Sequence, residues 1–170
     1  MDFKQFIRPG RTASDITPLF ANANAFAELV DKLSSFFQEQ KVDKVACIEG
    51  RGFILGAAVA IKLGAGVIPI RKKGSLQNDT HEETFRDYSG KEKTLEVHKD
   101  AILPNESIVI IDDWLETGAS VEAAIKLIEQ TKGKVVGVGV FMDDSTEQVK
   151  KELEKYKYKY VEKTSPKDVF

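Results

Sequence analysis

The sequence predicts an α/β protein with a mainly parallel central sheet flanked by helices, and three observations carry that prediction. Short unbroken apolar runs at residues 45–48, 66–70, 107–111 and 135–141 lack the polar alternation of a half-exposed sheet, so they suit strands covered on both faces. Other stretches place apolar residues at the three- and four-residue spacing of one helical face. The two kinds of segment alternate along the chain, which is how strand–helix–strand units build a parallel sheet.

The elements follow in order. Residues 1–20 hold the turn formers Arg8-Pro9-Gly10 and Ser14-Asp15-Ile16-Thr17-Pro18, which predict a small N-terminal hood that covers the core without joining it. Phe26, Leu29, Val30, Leu33 and Phe37 mark an amphipathic helix. The run 45–48 ends in Glu49-Gly50-Arg51-Gly52, and a second helical pattern covers 53–63 before the run 66–70. Residues 72–99 are charged and too long for an ordinary connection, which predicts a flexible lid or a hairpin excursion. After the run 107–111 comes a helix with Val121, Ala124, Ile125 and Ile128 on one face, then the run 135–141. Tyr156, Tyr158 and Tyr160 alternate with Lys157 and Lys159, the period of a half-buried edge strand with its lysines in water. At 170 residues the expected organisation is one Rossmann-like domain over residues 1–170.

Bulk chemistry removes several function classes. Lys and Arg number 25 against 27 Asp and Glu, so there is no basic field for nucleic acid. No apolar run approaches the ~20 residues that span a bilayer, which argues against a membrane role. The opening residues lack a basic stretch followed by an apolar one, so a cytoplasmic location is expected. Cys47 is the single cysteine, lies in an apolar run and makes a poor nucleophile; His81 and His98 are isolated and predict no zinc site.

In an open parallel sheet ligands collect beyond the carboxyl ends of the strands. Directly after the run 107–111 stand Asp112 and Asp113, two adjacent acids whose mutual repulsion points to a ligand rather than to packing. Glu116-Thr117-Gly118-Ala119-Ser120 then lead into a helix. Small residues and hydroxyls at a helix start let backbone N–H groups surround an oxyanion in the favourable field of the helix dipole. The competing expectation is a plain N-cap by Thr117 or Ser120, which leaves the acids unexplained.

The stretch from Ile108 to Ser120 resembles the signature of the type I phosphoribosyltransferases. With Glu49 to Phe53, Ile70-Arg71-Lys72, Asp87-Tyr88, residues 95–102 and Ser14 to Leu19 in the same order, the chain is similar to the adenine phosphoribosyltransferases over roughly residues 8–140. The resemblance implies transfer of the phosphoribosyl group of phosphoribosyl pyrophosphate to a purine, adenine in the first place, giving AMP and pyrophosphate. Another purine, hypoxanthine, guanine or xanthine, is the alternative, as is a non-catalytic protein that only binds phosphoribosyl pyrophosphate. A phospho-acceptor signalling domain would carry its acids after the first strand instead.

The resemblance also implies roles. Asp112, Asp113 and Glu116 with Thr117, Gly118, Ala119 and Ser120 would hold the ribose and its 5-phosphate, Ala119 and Ser120 standing where the family has glycine and threonine. Glu49, Gly50, Arg51, Arg71 and Lys72 would meet the pyrophosphate, with Gly50 easing a strained peptide beside Arg51. Mg²⁺ would bridge substrate oxygens with no dedicated protein ligand. Asp87, where the family has Glu, would exchange a proton with the purine, with Arg51 as the other catalytic residue. Residues 74–88, including Tyr88 and with Ser75 in place of a family lysine, would close as a lid. Ala13, Ser14, Trp114 and Leu115 would line the base slot, the aromatic wall having moved from position 13 to Trp114, and Arg11 lies near it. A homodimer is expected.

Overall fold

Alternate residues of the central strands feed two separate cores. The computed structural model describes residues 1–10, 14–87 and 89–164. In β1 (Lys44–Ile48) and β5 (Ser107–Leu115), Ala46, Ile48, Ile108 and Ile110 face one core, and Val45, Cys47, Val109 and Ile111 face the other. This is why the runs carry no polar alternation: a strand buried on both sides has no water-facing position. On the first face packs α4 (Ala119–Gln130) through Val121, Ala124, Ile125 and Ile128. On the second pack α1 (Thr17–Ala21), α2 (Ala23–Ser35) and α3 (Arg51–Leu63).

The sheet has seven strands in the order β3-β4-β2-β1-β5-β6-β7. β2 (Gly66–Lys72), β1, β5, β6 (Lys134–Asp143) and β7 (Tyr158–Lys163) are parallel. β3 (Thr80–Arg86) and β4 (Glu92–His98) form an antiparallel hairpin joined to β2 through Arg71↔Glu96 and Lys72↔Leu95. The long charged excursion is therefore a hairpin that extends the sheet. Leaving β1 the chain crosses by α3 to one neighbour, and leaving β5 it crosses by α4 to the other, so the carboxyl ends of β1 and β5 flank the switch point where a ligand crevice opens.

Close packing requires glycine at several positions. A Cβ at Gly137 would fall 2.4 Å from the Phe37 ring and one at Gly139 2.9 Å from it, so β6 is hollowed to admit this fully buried aromatic. A Cβ at Gly56 would fall 2.1 Å from Cys47 Sγ, so α3 crosses β1 at close range. Burial pushes the Cys47 thiol up to about 12, which makes it inert as expected.

Two expectations are corrected. The hood joins the core: Phe3, Ile16 and Leu19 are fully buried, and Phe3 meets Phe141 edge-on at 5.7 Å, because the turn formers around them only set the path of apolar anchors. Tyr156 belongs to a 3-10 turn (Glu154–Tyr156), and the edge strand begins at Tyr158 after Lys157 adopts a left-handed conformation that breaks the alternation. α5 (Glu147–Leu153) precedes that turn, capped by Thr146 Oγ1, which accepts from Val149 N.

Candidate active site

β5 extends four residues beyond the apolar run, so Asp112 and Asp113 lie within the strand, Asp112 in register with Val140. Each is 8% exposed. Asp113 N donates to Asp112 Oδ1 at 2.9 Å, and Arg51 Nη2 lies 2.7 Å from Asp113 Oδ2. Burial, and then the neighbouring Asp113 charge, push the Asp112 carboxyl well above its ordinary range; burial also raises Asp113, against the pull of Arg51. Two desolvated acids sharing one cation are costly to keep, and a ligand that hydrogen-bonds both offsets that cost.

Arg51 opens α3 and ties three parts together, since its Nη1 also donates to the Ser14 carbonyl at 2.7 Å. Gly50, at φ +130°, sits in a region that side-chain-bearing residues rarely adopt. Gly52 follows for a different reason: a Cβ there would fall 2.7 Å from Asp112 Oδ1. The first turn of α3 thus runs directly against the acid pair.

At the start of α4, Gly118 occupies the N-cap with φ +76° and makes no side-chain cap. A Cβ at Gly118 would meet Val149 at 2.8 Å. Thr117 Oγ1 reaches Ala119 N only at 3.4 Å, so the plain N-cap expectation is not what is found. Helix N–H groups in this first turn have no intrahelical acceptor, and the residues that carry them, with Thr117 and Ser120, line the cavity.

The cavity holds about 920 Å³ and brings together most of the expected residues: Glu49, Arg51, Lys72, Asp87, Asp112 and Asp113 line it, as do Trp114 and Glu116 to Ser120. Several expected residues do not. Leu115 is 1% exposed and joins Ile108 and Ile110 in the α4 core, while Trp114 packs toward the other core and lines the cavity, so the facing of the strand's side chains shifts by one residue across Asp112 and Asp113. Arg71 does not line the cavity; its Nε donates to Glu49 Oε2 at 2.8 Å and its guanidinium lies 5.7 Å from the Phe53 ring. Ser14 is buried and contributes its backbone carbonyl to Arg51, not a wall. Ala13 and Tyr88, with Arg11, lie outside the described residues.

The two acids outside the pair differ. Glu49 accepts from Arg71 and from Lys72 N at 3.0 Å, which holds its carboxyl below the usual range. Asp87 lines the cavity but is committed to its own turn: Lys93 Nζ lies 2.6 Å away, and Ser89 N, Ser89 Oγ and Lys91 N all donate to it. Lys93 first, then Ser89, hold it far below the ordinary carboxylate range, so in this conformation it is not a free proton acceptor.

Sequence reasoning missed the hairpin's own contributions. Lys73, Phe85, Lys93, Thr94 and Leu95 line the cavity from that side, and Asp144 lines it from the end of β6. Alternating burial along β3 brings Phe85 inward, a period-2 signal present in the sequence but masked by charged residues at nearly every other position. Ser75 and Leu76 donate their backbone N–H groups to the buried Glu96 at 2.8 and 2.7 Å, which fastens the turn before β3 to β4.

Known proteins share this chain's sequence and fold over most of its length. The phosphoribosyl transferase domain family matches residues 17–169. An adenine phosphoribosyltransferase of Mesorhizobium japonicum is 43% identical over 136 residues, 80% of this chain and 75% of that protein. One from Thermotoga sp. is 40% identical over 166 residues, 94% of this chain and 97% of that one. Among solved structures, the adenine phosphoribosyltransferase of Rhodothermus marinus superposes with a TM-score of 0.88 at 36% identity, covering 95% of this chain and 96% of that one. The APRTase of Giardia lamblia complexed with 9-deazaadenine gives 0.87 at 27% identity, with 96% of each chain covered.

Proposed function

The chain belongs to the phosphoribosyl transferase domain family, and from that premise we propose that it transfers the phosphoribosyl group of phosphoribosyl pyrophosphate to adenine, releasing pyrophosphate and AMP in purine salvage. One observation carries this: the buried acid pair Asp112–Asp113 and the uncapped start of α4 open into one cavity that also holds Trp114. The acids accept from the ribose hydroxyls. Thr117 to Ser120 take the 5-phosphate through backbone N–H groups and hydroxyls. Arg51 and Lys72 meet the pyrophosphate; Glu49 holds Arg71 beside them. Trp114 supplies an apolar face for the purine, and Phe85 adds a second aromatic surface to the same cavity.

In the reaction the purine nitrogen forms its bond to the anomeric carbon as the carbon–oxygen bond to pyrophosphate breaks. A proton leaves the purine in the same process. Arg51 and the lysines stabilise the charge that gathers on the departing pyrophosphate. Mg²⁺ would enter with the substrate, beside Asp112 and Asp113, whose carboxylates are engaged with Arg51. There it would offset negative charge on the leaving group.

The β3–β4 hairpin is the lid that excludes water, and a single domain over residues 1–170 carries the whole activity. A homodimer accounts for Ile54 and Ile61, which are 47% and 82% exposed and seven residues apart on one face of α3, and for Val67, 47% exposed. A cytoplasmic location suits the unpaired Cys47, and no described helix is long and apolar enough to cross a membrane. The test is a panel of purine and pyrimidine bases incubated with phosphoribosyl pyrophosphate and Mg²⁺, with nucleotide products read by mass. AMP as the main product is expected; a different nucleotide moves the base assignment, and no nucleotide with any base refutes the transferase.

A further inference from the structure

We propose that Glu116, not Asp87, is the acid that takes the proton from the purine ring nitrogen not under attack as the nucleotide forms, and returns it in the reverse reaction. This rests on the phosphoribosyl-transfer reading above. The step balances: one ring nitrogen bonds the anomeric carbon, the pyrophosphate oxygen leaves with the bonding pair, and the proton on the other ring nitrogen passes to the carboxylate of Glu116. Such an acid needs an uncommitted oxygen, a place beside both base and sugar, and a proton affinity suited to neutral solution.

Six acids line the cavity, and five are engaged. Glu49 is taken by Arg71 and Lys72, Asp87 by Lys93 and Ser89, and Asp112 and Asp113 by each other and Arg51. Asp144 also has a partner. Among the described residues, Glu116 alone of these has a carboxylate with neither hydrogen bond nor ion pair. Its place in the chain suits the task. It lies two residues past Trp114, the base wall, and one before Thr117, where the phosphate loop starts, with Leu115 between them turned into the core.

The surrounding charges favour it as well. Partial burial first, and then the charges of Asp144 at the end of β6 and Asp87 on the hairpin, raise the Glu116 carboxyl above its ordinary value. The cations of the same cavity are committed elsewhere: Arg51 to Asp113, Lys93 to Asp87, Lys73 to Glu82, and Lys72 to Glu49. A bound pyrophosphate adds repulsion. Asp87 moves in the opposite direction, its proton affinity suppressed by Lys93.

The experiment follows AMP formation by the intact chain against pH, with calorimetric binding of phosphoribosyl pyrophosphate alongside. Glu116→Gln should lower kcat by about 10²-fold and remove the acid limb of the kcat profile, with affinity for phosphoribosyl pyrophosphate within roughly threefold of wild type. Glu116→Asp should restore the limb and part of the rate. Asp87→Asn should cost less than about tenfold, through the hairpin, and keep the limb. The inference is overturned if Glu116→Gln retains the limb, if it loses substrate affinity with the limb intact, or if Asp87→Asn abolishes the limb. A wild-type chain that binds phosphoribosyl pyrophosphate but releases no pyrophosphate with any purine overturns the transferase reading and this role together; the failures are thus distinguishable.

Discussion

Two stretches line the cavity from opposite sides and are built on different physics. From β5 into α4 the walls are a buried strand, two desolvated acids and a helix start whose N-cap, Gly118, supplies no side-chain cap. On the β3–β4 hairpin and the turn before it they are charges already satisfied by each other, the exposed Lys93 by the half-buried Asp87 and Lys73 by Glu82. The first region holds its groups under electrostatic strain and gains when a ligand arrives. The second is at rest without one. Groups that must stay fixed through the reaction sit on a scaffold buried on both faces, while groups that must let substrate pass sit on pairs individually worth little.

The largest effect that would sharpen this contrast is on activity. Neutralising the pair with Asp112→Asn and Asp113→Asn should cut AMP formation by about 10³-fold, whereas Lys93→Ala should cost less than about tenfold; steady-state kinetics on both decide it. Comparable losses would break the distinction between the two regions.

Next come effects on the scaffold. Gly52→Ala drives a methyl against Asp112 Oδ1 and should destabilise the fold by about 1–3 kcal/mol, lowering Tm by several degrees in calorimetry. Gly50→Ala meets nothing within 4 Å and should lose only what its positive φ imposes, about 1–2 kcal/mol.

The pH dependence separates the regions by sign. Asp112 has a folded-state pKa above its unfolded one, so the native state binds more protons between the two values and stability falls as pH rises through that window. Asp112→Asn should therefore raise Tm at pH 7.5, by roughly 2–4 °C for each kcal/mol released, and the gain should vanish below about pH 4. Asp87 is depressed, so its stabilisation is present above the unfolded carboxylate value and is lost as pH falls below it. Lys93→Ala should shift Tm only slightly at pH 7.5, the smallest effect of the set, measurable by the same scans.

The same contrast governs how far the site is legible in the chain. Asp112, Asp113 and the loop through Ser120 stand out because packing alone gives no reason for a buried run to end in acids and small residues. Trp114 and Leu115 are both expected at the base slot and only Trp114 arrives, since the alternation of residues 108–111 shifts by one across Asp112 and Asp113, a change of facing that no residue in the sequence marks. Arg71 is expected at the pyrophosphate and instead braces Glu49, because a lone cation in a sequence carries no mark of its partner. Lys73, Phe85 and Lys93 are hidden for a related reason: their places depend on hairpin pairing between residues such as Phe85 and Lys93, set by register and not by composition. In the fold, the doubly buried strands and the helices that order them are plain, while the hood's Phe3 and Ile16 reach the core through a path that turn-forming neighbours conceal.

The central claim is that β5 and the start of α4 form a ribose 5-phosphate site, and titration calorimetry with phosphoribosyl pyrophosphate and Mg²⁺ tests it most directly. Wild type should bind saturably, and the Asp112→Asn, Asp113→Asn variant should bind at least about 100-fold more weakly, a loss of about 2.7 kcal/mol. Equal affinity in the two, with both folded, would contradict the account.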